Sequence, residues 1–226
     1  MPRAGVFLLL MCFVAPAPAE TVTIEATRDA TLIEHPEGAR ANGSGSSLFV
    51  GRTSQSQNGI RRAVLYFDLT GALPQKALIE SASLTLYMKF SNEAPQTLAL
   101  HHVLADWGEG PSSSGGGGGA SSLPGDVTWV HTFYDDDTWV RAGGQFVAHP
   151  SAEREVGDSG FYTWEASQKL LQDIRLWRAA PHRNFGWILI GGESTPQTAK
   201  NFASREHPDP LLRPVLQITY REPGKP

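Results

Sequence analysis

Sulfur chemistry is nearly missing from this chain: Cys12 is its one cysteine, which excludes an intrachain disulfide and any zinc or iron–sulfur site built on several thiolates. Clusters of Lys and Arg are missing too, and the net charge is −4, so neither a nucleic-acid backbone nor an anionic membrane surface finds the positive field it needs. No Gly-x-Ser-x-Gly elbow occurs, and the glycine run at Gly115 to Gly119 lacks the Lys and Ser/Thr that follow in a phosphate loop. His101, His102, His131 and His149 lack metal-type spacing; as strand neighbours, His101 and His102 point to opposite faces and cannot share an ion. No repeat of fixed period is visible.

What is present begins with an export signal. Arg3 is a short basic region, Val6 to Val14 an apolar stretch, and Ala17-Pro18-Ala19 a small-residue cleavage site before Glu20. Residues 1–19 therefore read as a signal peptide, and the chain from Glu20 as secreted and extracellular. Cys12 leaves with that leader. A lipoprotein reading would retain Cys12 as the acylated residue, but Met11 is too large for the small residue such sites carry before the cysteine. Loss of Arg3 takes the net charge from −4 to −5. No later stretch is long and apolar enough for a membrane span.

Two runs set the architecture. In Arg61 to Leu69, Ala63, Leu65, Phe67 and Leu69 share a face; in Glu80 to Phe90, Ala82, Leu84, Leu86, Met88 and Phe90 alternate with Ser81, Ser83, Thr85, Tyr87 and Lys89. A period of two is that of a half-buried strand, so these runs, joined through Gly71 and Pro74, offer one apolar face to a second sheet. Further strands are expected at Thr21 to Ala26, Ala30 to Ile33, Leu48 to Gly51, Thr97 to Leu104, Asp126 to His131, Gly186 to Ile190 and Leu211 to Tyr220. Trp187 to Ile190 is apolar without alternation, the pattern of a central strand buried on both faces. Leu170, Leu171, Ile174 and Trp177 mark one face of a helix over Ala166 to Arg178, ended by Pro181, which would cap an open end of the sandwich. The expected fold is an all-β, jelly-roll-like antiparallel sandwich of two sheets with one short helix, spanning 20–226 as one domain. Residues 110–125, with five successive glycines, read as a mobile surface loop, the competing reading being an interdomain linker; Gly143 to Gly160 reads as irregular.

Three stretches together resemble a known family: Leu48-Phe49-Val50-Gly51 with Arg62-Ala63-Val64-Leu65-Tyr66-Phe67-Asp68-Leu69; Ile79-Glu80-Ser81-Ala82-Ser83-Leu84-Thr85-Leu86-Tyr87; and Phe202-Ala203-Ser204-Arg205-Glu206 ahead of Arg213-Pro214-Val215-Leu216. Asp106-Trp107-Gly108-Glu109-Gly110, Asp126-Val127-Thr128-Trp129 and Asn184-Phe185-Gly186-Trp187 run as such chains do. The chain is similar to the DNRLRE domain family of secreted bacterial proteins, grouped with polysaccharide-binding modules. The resemblance implies a jelly-roll-like sandwich, extracellular placement and, in some members, glycan binding; it implies no reaction. The glycine-rich insertion after Trp107 departs from the shorter members.

Candidate residues follow from chemistry. Trp107, Trp129, Tyr134 and Trp139 lie in or beside the glycine-rich and acidic loops, where exposed rings could stack on sugar faces. Lys200 and Arg205 could hold an anionic sugar carboxylate; the structural alternative pairs Arg205 with Asp68 or Glu206. Asp135 and Asp137, in Asp135-Asp136-Asp137, could offer oxygen ligands to a structural calcium ion, and Asp29, Glu34, Asn42 and Asp68 form a second oxygen-rich set. Asn42-Gly43-Ser44 fits a glycosylation sequon. The expected function is a non-catalytic carbohydrate-binding-like module, a monomer recognising a polysaccharide. The alternatives are a structural or adhesive domain with a protein or cell-surface partner, and a glycosidase or lyase, whose paired carboxylates sequence order alone does not reveal.

Overall fold

A computed structural model describes residues 18–91 and 95–223. Most of the expected leader, Cys12 included, lies outside the described residues. The first strands are β1 (Glu20–Glu25), β2 (Arg28–Ile33), β3 (Arg40–Asn42), β4 (Ser47–Arg52), β5 (Ile60–Tyr66), β6 (Leu78–Ser91), β7 (Gln96–His102) and β8 (Ala120–Ser121). There follow β9 (His131–Phe133), β10 (Asp137–Thr138), β11 (Ala152–Val156), β12 (Gly160–Trp164), the helix α1 (Gln168–Ala179), β13 (Trp187–Ile190), β14 (Lys200–Ala203) and β15 (Val215–Arg221).

The two runs singled out from sequence become the middle strands of two antiparallel layers. β6 organises the first. Thr85 pairs with both Val215 of β15 and Thr163 of β12, and Met88 with both Phe202 of β14 and Gly160 of β12. Hence β12 flanks one side of β6, while β15 and β14 lie end to end along the other, with β1 outside β15 and β4 outside β14. A strand of 14 residues, about 45 Å long, can serve two partners in this way. The second layer runs β2-β5-β13-β7-β11, with β3 and β8 beyond β2. β4 joins the layers, leaving β14 to pair with β5 at Gly51 and Arg52. Gly51 turns that corner at φ 112°, and a Cβ there would stand 2.8 Å from the Thr198 carbonyl oxygen.

Between the layers Leu65, Phe67, Leu84, Leu86, Met88, Leu98, Leu100, Trp187, Leu189, Phe202, Leu216 and Ile218 form the main core. Trp164 of β12 ties the layers by donating its Nε1–H to the Leu98 carbonyl at 2.9 Å. α1 closes one end through Leu170, Ile174 and Trp177, as its periodicity predicts, with Ser167 as N-cap accepting from the Leu170 N–H. A second core lies on the outer side of the second layer, where Ala30, Leu32, Val64 and Ile188 are covered by Val103, Trp107, Val127 and Trp139. This accounts for β13: Trp187 and Leu189 face one core, Ile188 and Ile190 the other.

The glycine-rich stretch is a loop held at several points: β8 within it pairs with β3, Gly117 packs over Phe49, and the Gly117 carbonyl accepts from Arg61 Nε at 2.5 Å. The Arg61 guanidinium, buried, also reaches the Asn58 and Ile60 carbonyls, and burial lowers its pKa to about 10. Glycine here leaves backbone carbonyls bare enough to solvate a buried cation. Two expectations change. Asp126 to Val130 is not a strand, and the segment expected to be irregular contains β11 and the start of β12. No helix among the described residues is long and apolar enough to cross a membrane.

Candidate functional site

The aromatic residues expected at the surface do not form an exposed row. Trp107 is fully buried, donating Nε1–H to the Phe185 carbonyl at 2.9 Å, with the Arg28 guanidinium 4.9 Å from its ring centre. Trp139 is 5% exposed, its Nε1–H bonded to the Thr128 carbonyl at 3.0 Å. Both rings cover the outer face of the second layer, so neither can stack on a sugar. Trp129 and Tyr134 are half-buried and separately engaged, Trp129 beneath Arg62 and Tyr134 edge-on to His131.

The charged candidates are also redistributed. Lys200 is fully buried on the inner side of β14, where its Nζ bonds Ser91 Oγ; it cannot reach a ligand together with Arg205. Asp135 and Asp137 are exposed at the β9–β10 turn, where Asp135 takes φ 67°, and among the described residues they join no group of three acidic or histidine side chains close enough to hold an ion. Asn42 is 1% exposed with its Nδ2 donating to the Ser47 carbonyl, so in the folded chain the sequon amide is engaged within the fold.

Three carboxylates do converge elsewhere. Asp29, Glu109 and Glu206 bring ligand oxygens within 4.8 Å of one another, the only such group among the described residues. Asp29 opens β2, on the strand face opposite Ala30 and Leu32, and is fully buried. Glu206 follows β14 through Ser204, whose hydroxyl accepts the Glu206 N–H and donates to the Gly45 carbonyl. Glu109 stands between Gly108 and Gly110, where Cβ atoms would meet the Gly125 carbonyl at 2.0 Å and Asp126 Oδ1 at 1.9 Å. Only glycines let the backbone pass that closely.

Arg205 links the group. Its Nε and Nη2 each donate to Glu109 at 2.6 Å, its Nε lies 2.8 Å from Glu206 Oε1, and its backbone N–H donates to Asp29 Oδ2 at 2.7 Å. The Asp29 N–H donates to Glu109 Oε1 at 2.8 Å. Of the partners expected for Arg205, Glu206 is present and Asp68 is replaced by Glu109. Burial, then the neighbouring Glu206 charge, pushes the Asp29 carboxyl well above the ordinary range; burial and Glu109 raise Glu206. The paired hydrogen bonds to Glu109 raise Arg205. Sequence reasoning reached Asp29 and Glu206 but missed Glu109; the signal was a carboxylate fixed between two glycines beside a tryptophan.

A second feature lies on the open face of the first layer. Thr21, Thr23, Ser81, Ser83, Thr85, Thr163, Gln217 and Thr219 point outward, with hydroxyl pairs Thr85–Thr163 and Thr21–Thr219 at 2.9 and 3.0 Å. At its margin Phe161, 58% exposed, pairs across strands with Tyr87, ring centres 4.9 Å apart. A third feature is a groove of about 910 Å³ between α1 and the segment from Leu69 to Ile79. Arg175 and Arg178 at its wall donate to the carbonyls of Ile79, Ala77, Pro74 and Gln75, and Tyr66 and the exposed Asp68 line it as well. No family model matches the chain, and no curated protein matches it.

Proposed function

We propose that this chain is an exported, non-catalytic module that binds a neutral polysaccharide on the open face of its first layer. The observation that carries the reading is the Tyr87–Phe161 pair: a large apolar ring left 58% exposed beside a sheet face of threonine, serine and glutamine. Sugar rings offer C–H faces to aromatic side chains and hydroxyls to side-chain hydroxyls and amides, and this face supplies both. Its central positions are threonine, serine and glutamine, with Glu25, Tyr87 and Lys89 confined to the margins, which favours an uncharged glycan. The resemblance to DNRLRE domains and the leader pattern support the same placement outside the cell.

The test is a panel of neutral and acidic polysaccharides in affinity electrophoresis, followed by calorimetry. At least one neutral glycan is expected to retard the protein, and Phe161→Ala is expected to weaken that binding at least tenfold, while Trp129→Ala leaves it unchanged. Silence across the panel, or new reducing ends in the incubated glycan, would overturn the reading.

A further inference from the structure

A buried carboxylate oxygen needs a donor or a cation, and the group around Asp29 does not have enough of either. Glu109 is supplied with three N–H groups, from Asp29, Arg205 Nε and Arg205 Nη2. Asp29 Oδ2 has the Arg205 N–H. Asp29 Oδ1 and both Glu206 oxygens, all buried, have no hydrogen-bond partner, since Arg205 Nε lies near Glu206 Oε1 without pointing at it. Three carboxyl groups stand against one guanidinium, so that with all of them ionised the group would carry an excess of two negative charges around the fully buried Asp29. One proton could satisfy at most two of these oxygens, the one that carries it and the one that accepts from it. A divalent cation would satisfy all three and cancel the charge.

We infer that Asp29, Glu109 and Glu206 form a calcium site that fastens the start of β2, the loop after Trp107 and the segment after β14 to one another. Calcium takes six to eight oxygens at about 2.3–2.6 Å, so ligands on opposite sides of the ion stand about 5 Å apart, a spread that the separations below 4.8 Å fit. Magnesium holds its ligands at about 2.0–2.1 Å and keeps several waters, for which this buried set leaves little room. The group has no sulfur or imidazole ligand to favour zinc. The ion would act as a cross-link. It joins positions 80 and 97 residues apart in a chain whose one cysteine rules out a disulfide.

The full chain, stripped with EGTA, is titrated with CaCl2 by calorimetry and, in parallel, with terbium, whose luminescence is excited through tryptophan. One ion per chain is expected, with calcium displacing terbium and magnesium at the same concentration failing to do so. Asp29→Asn and Glu206→Gln are each expected to weaken calcium binding at least tenfold, while the double variant Asp135→Asn/Asp137→Asn binds as the parent does. Circular dichroism shows whether each variant is folded; where one is not, the calcium and magnesium competition on the unaltered chain decides. Absence of heat with calcium, displacement by magnesium as effective as by calcium, or full affinity in folded Glu206→Gln would each overturn the assignment.

Discussion

Asp173 and Asp29 are both fully buried aspartates, and they are supplied in opposite ways. Asp173 Oδ1 accepts from His102 Nδ1 at 3.0 Å and Lys169 Nζ at 2.6 Å; its Oδ2 accepts from Ser151 Oγ at 2.5 Å and Trp187 Nε1 at 3.0 Å. A carboxylate has about four lone-pair sites, and all are filled. His102 in turn accepts from Trp177 Nε1, an obligate donor, at 3.4 Å, which fixes the His102 tautomer with its proton on Nδ1, toward Asp173. Asp29, by contrast, has one donor for two oxygens and two carboxylates for neighbours. The difference separates two uses of a buried charge. Asp173 is a finished hub that ties α1 to β7, β13 and the residue ahead of β11; Asp29 belongs to a group with buried oxygens left unpaired, which the proposed cation would fill.

The largest effect should come from breaking the finished hub. Asp173→Ala strands four donors in the interior and is expected to cost about 3–5 kcal/mol, read as a lower midpoint in urea unfolding. A loss below about 1 kcal/mol would mean that the donors find other partners. Acid acts on the same group. Burial alone would raise the Asp173 carboxyl, but the hydrogen bonds from His102, Lys169, Ser151 and Trp187 outweigh it and hold the group below its ordinary value of 3.8. A lowered acid stabilises the fold above its unfolded value, and that contribution is lost as pH falls through the folded one. Stability from this hub should therefore be intact above pH 3.8 and decline below it, an acid limb that is missing in Asp173→Ala. Lys169→Gln removes one of four donors, from a side chain 27% exposed, and should cost about 1 kcal/mol. Phe161→Ala sits at the bottom of the scale. At 58% exposure it should shift stability by no more than about 0.5 kcal/mol, so its loss of glycan binding would not be a folding effect.

How much of this was legible in the chain depends on which force placed each residue. Alternation placed β5 and β6 on the right faces as far as Met88, while Phe90, expected on the same face, is 59% exposed beyond a register shift against β14; the unbroken apolar run of β13 announced burial on both sides, because burial acts residue by residue along a strand. β11 was missed because it is an edge strand: Glu153, Arg154 and Glu155 face water, so no apolar alternation marks it. The aromatic residues misled for a different reason. Acidic neighbours suggested that Trp139 stays near water, yet Asp135 to Asp137 are exposed while the ring two residues on turns under the second layer. Outside regular strands the neighbours in sequence do not fix the side a residue faces. The carboxylate group was half visible. Asp29 stood in a candidate oxygen-rich set and Glu206 as a partner for Arg205, but Glu109 meets Asp29 across 80 residues, and no local spacing encodes that meeting. It depends on three chain segments arriving at one end of the fold.

Thermal unfolding of the parent chain and of Asp29→Asn, each in EGTA and in excess CaCl2, tests the contrast most directly. Without calcium, the substitution relieves a charge crowded by two others and supplies a donor, so the variant should be at least as stable as the parent. With calcium at about a hundredfold excess over its dissociation constant, the parent should gain about 5–10 °C and overtake the variant. A parent chain that leads by the same margin in both media would show that Asp29, like Asp173, is already complete without an ion.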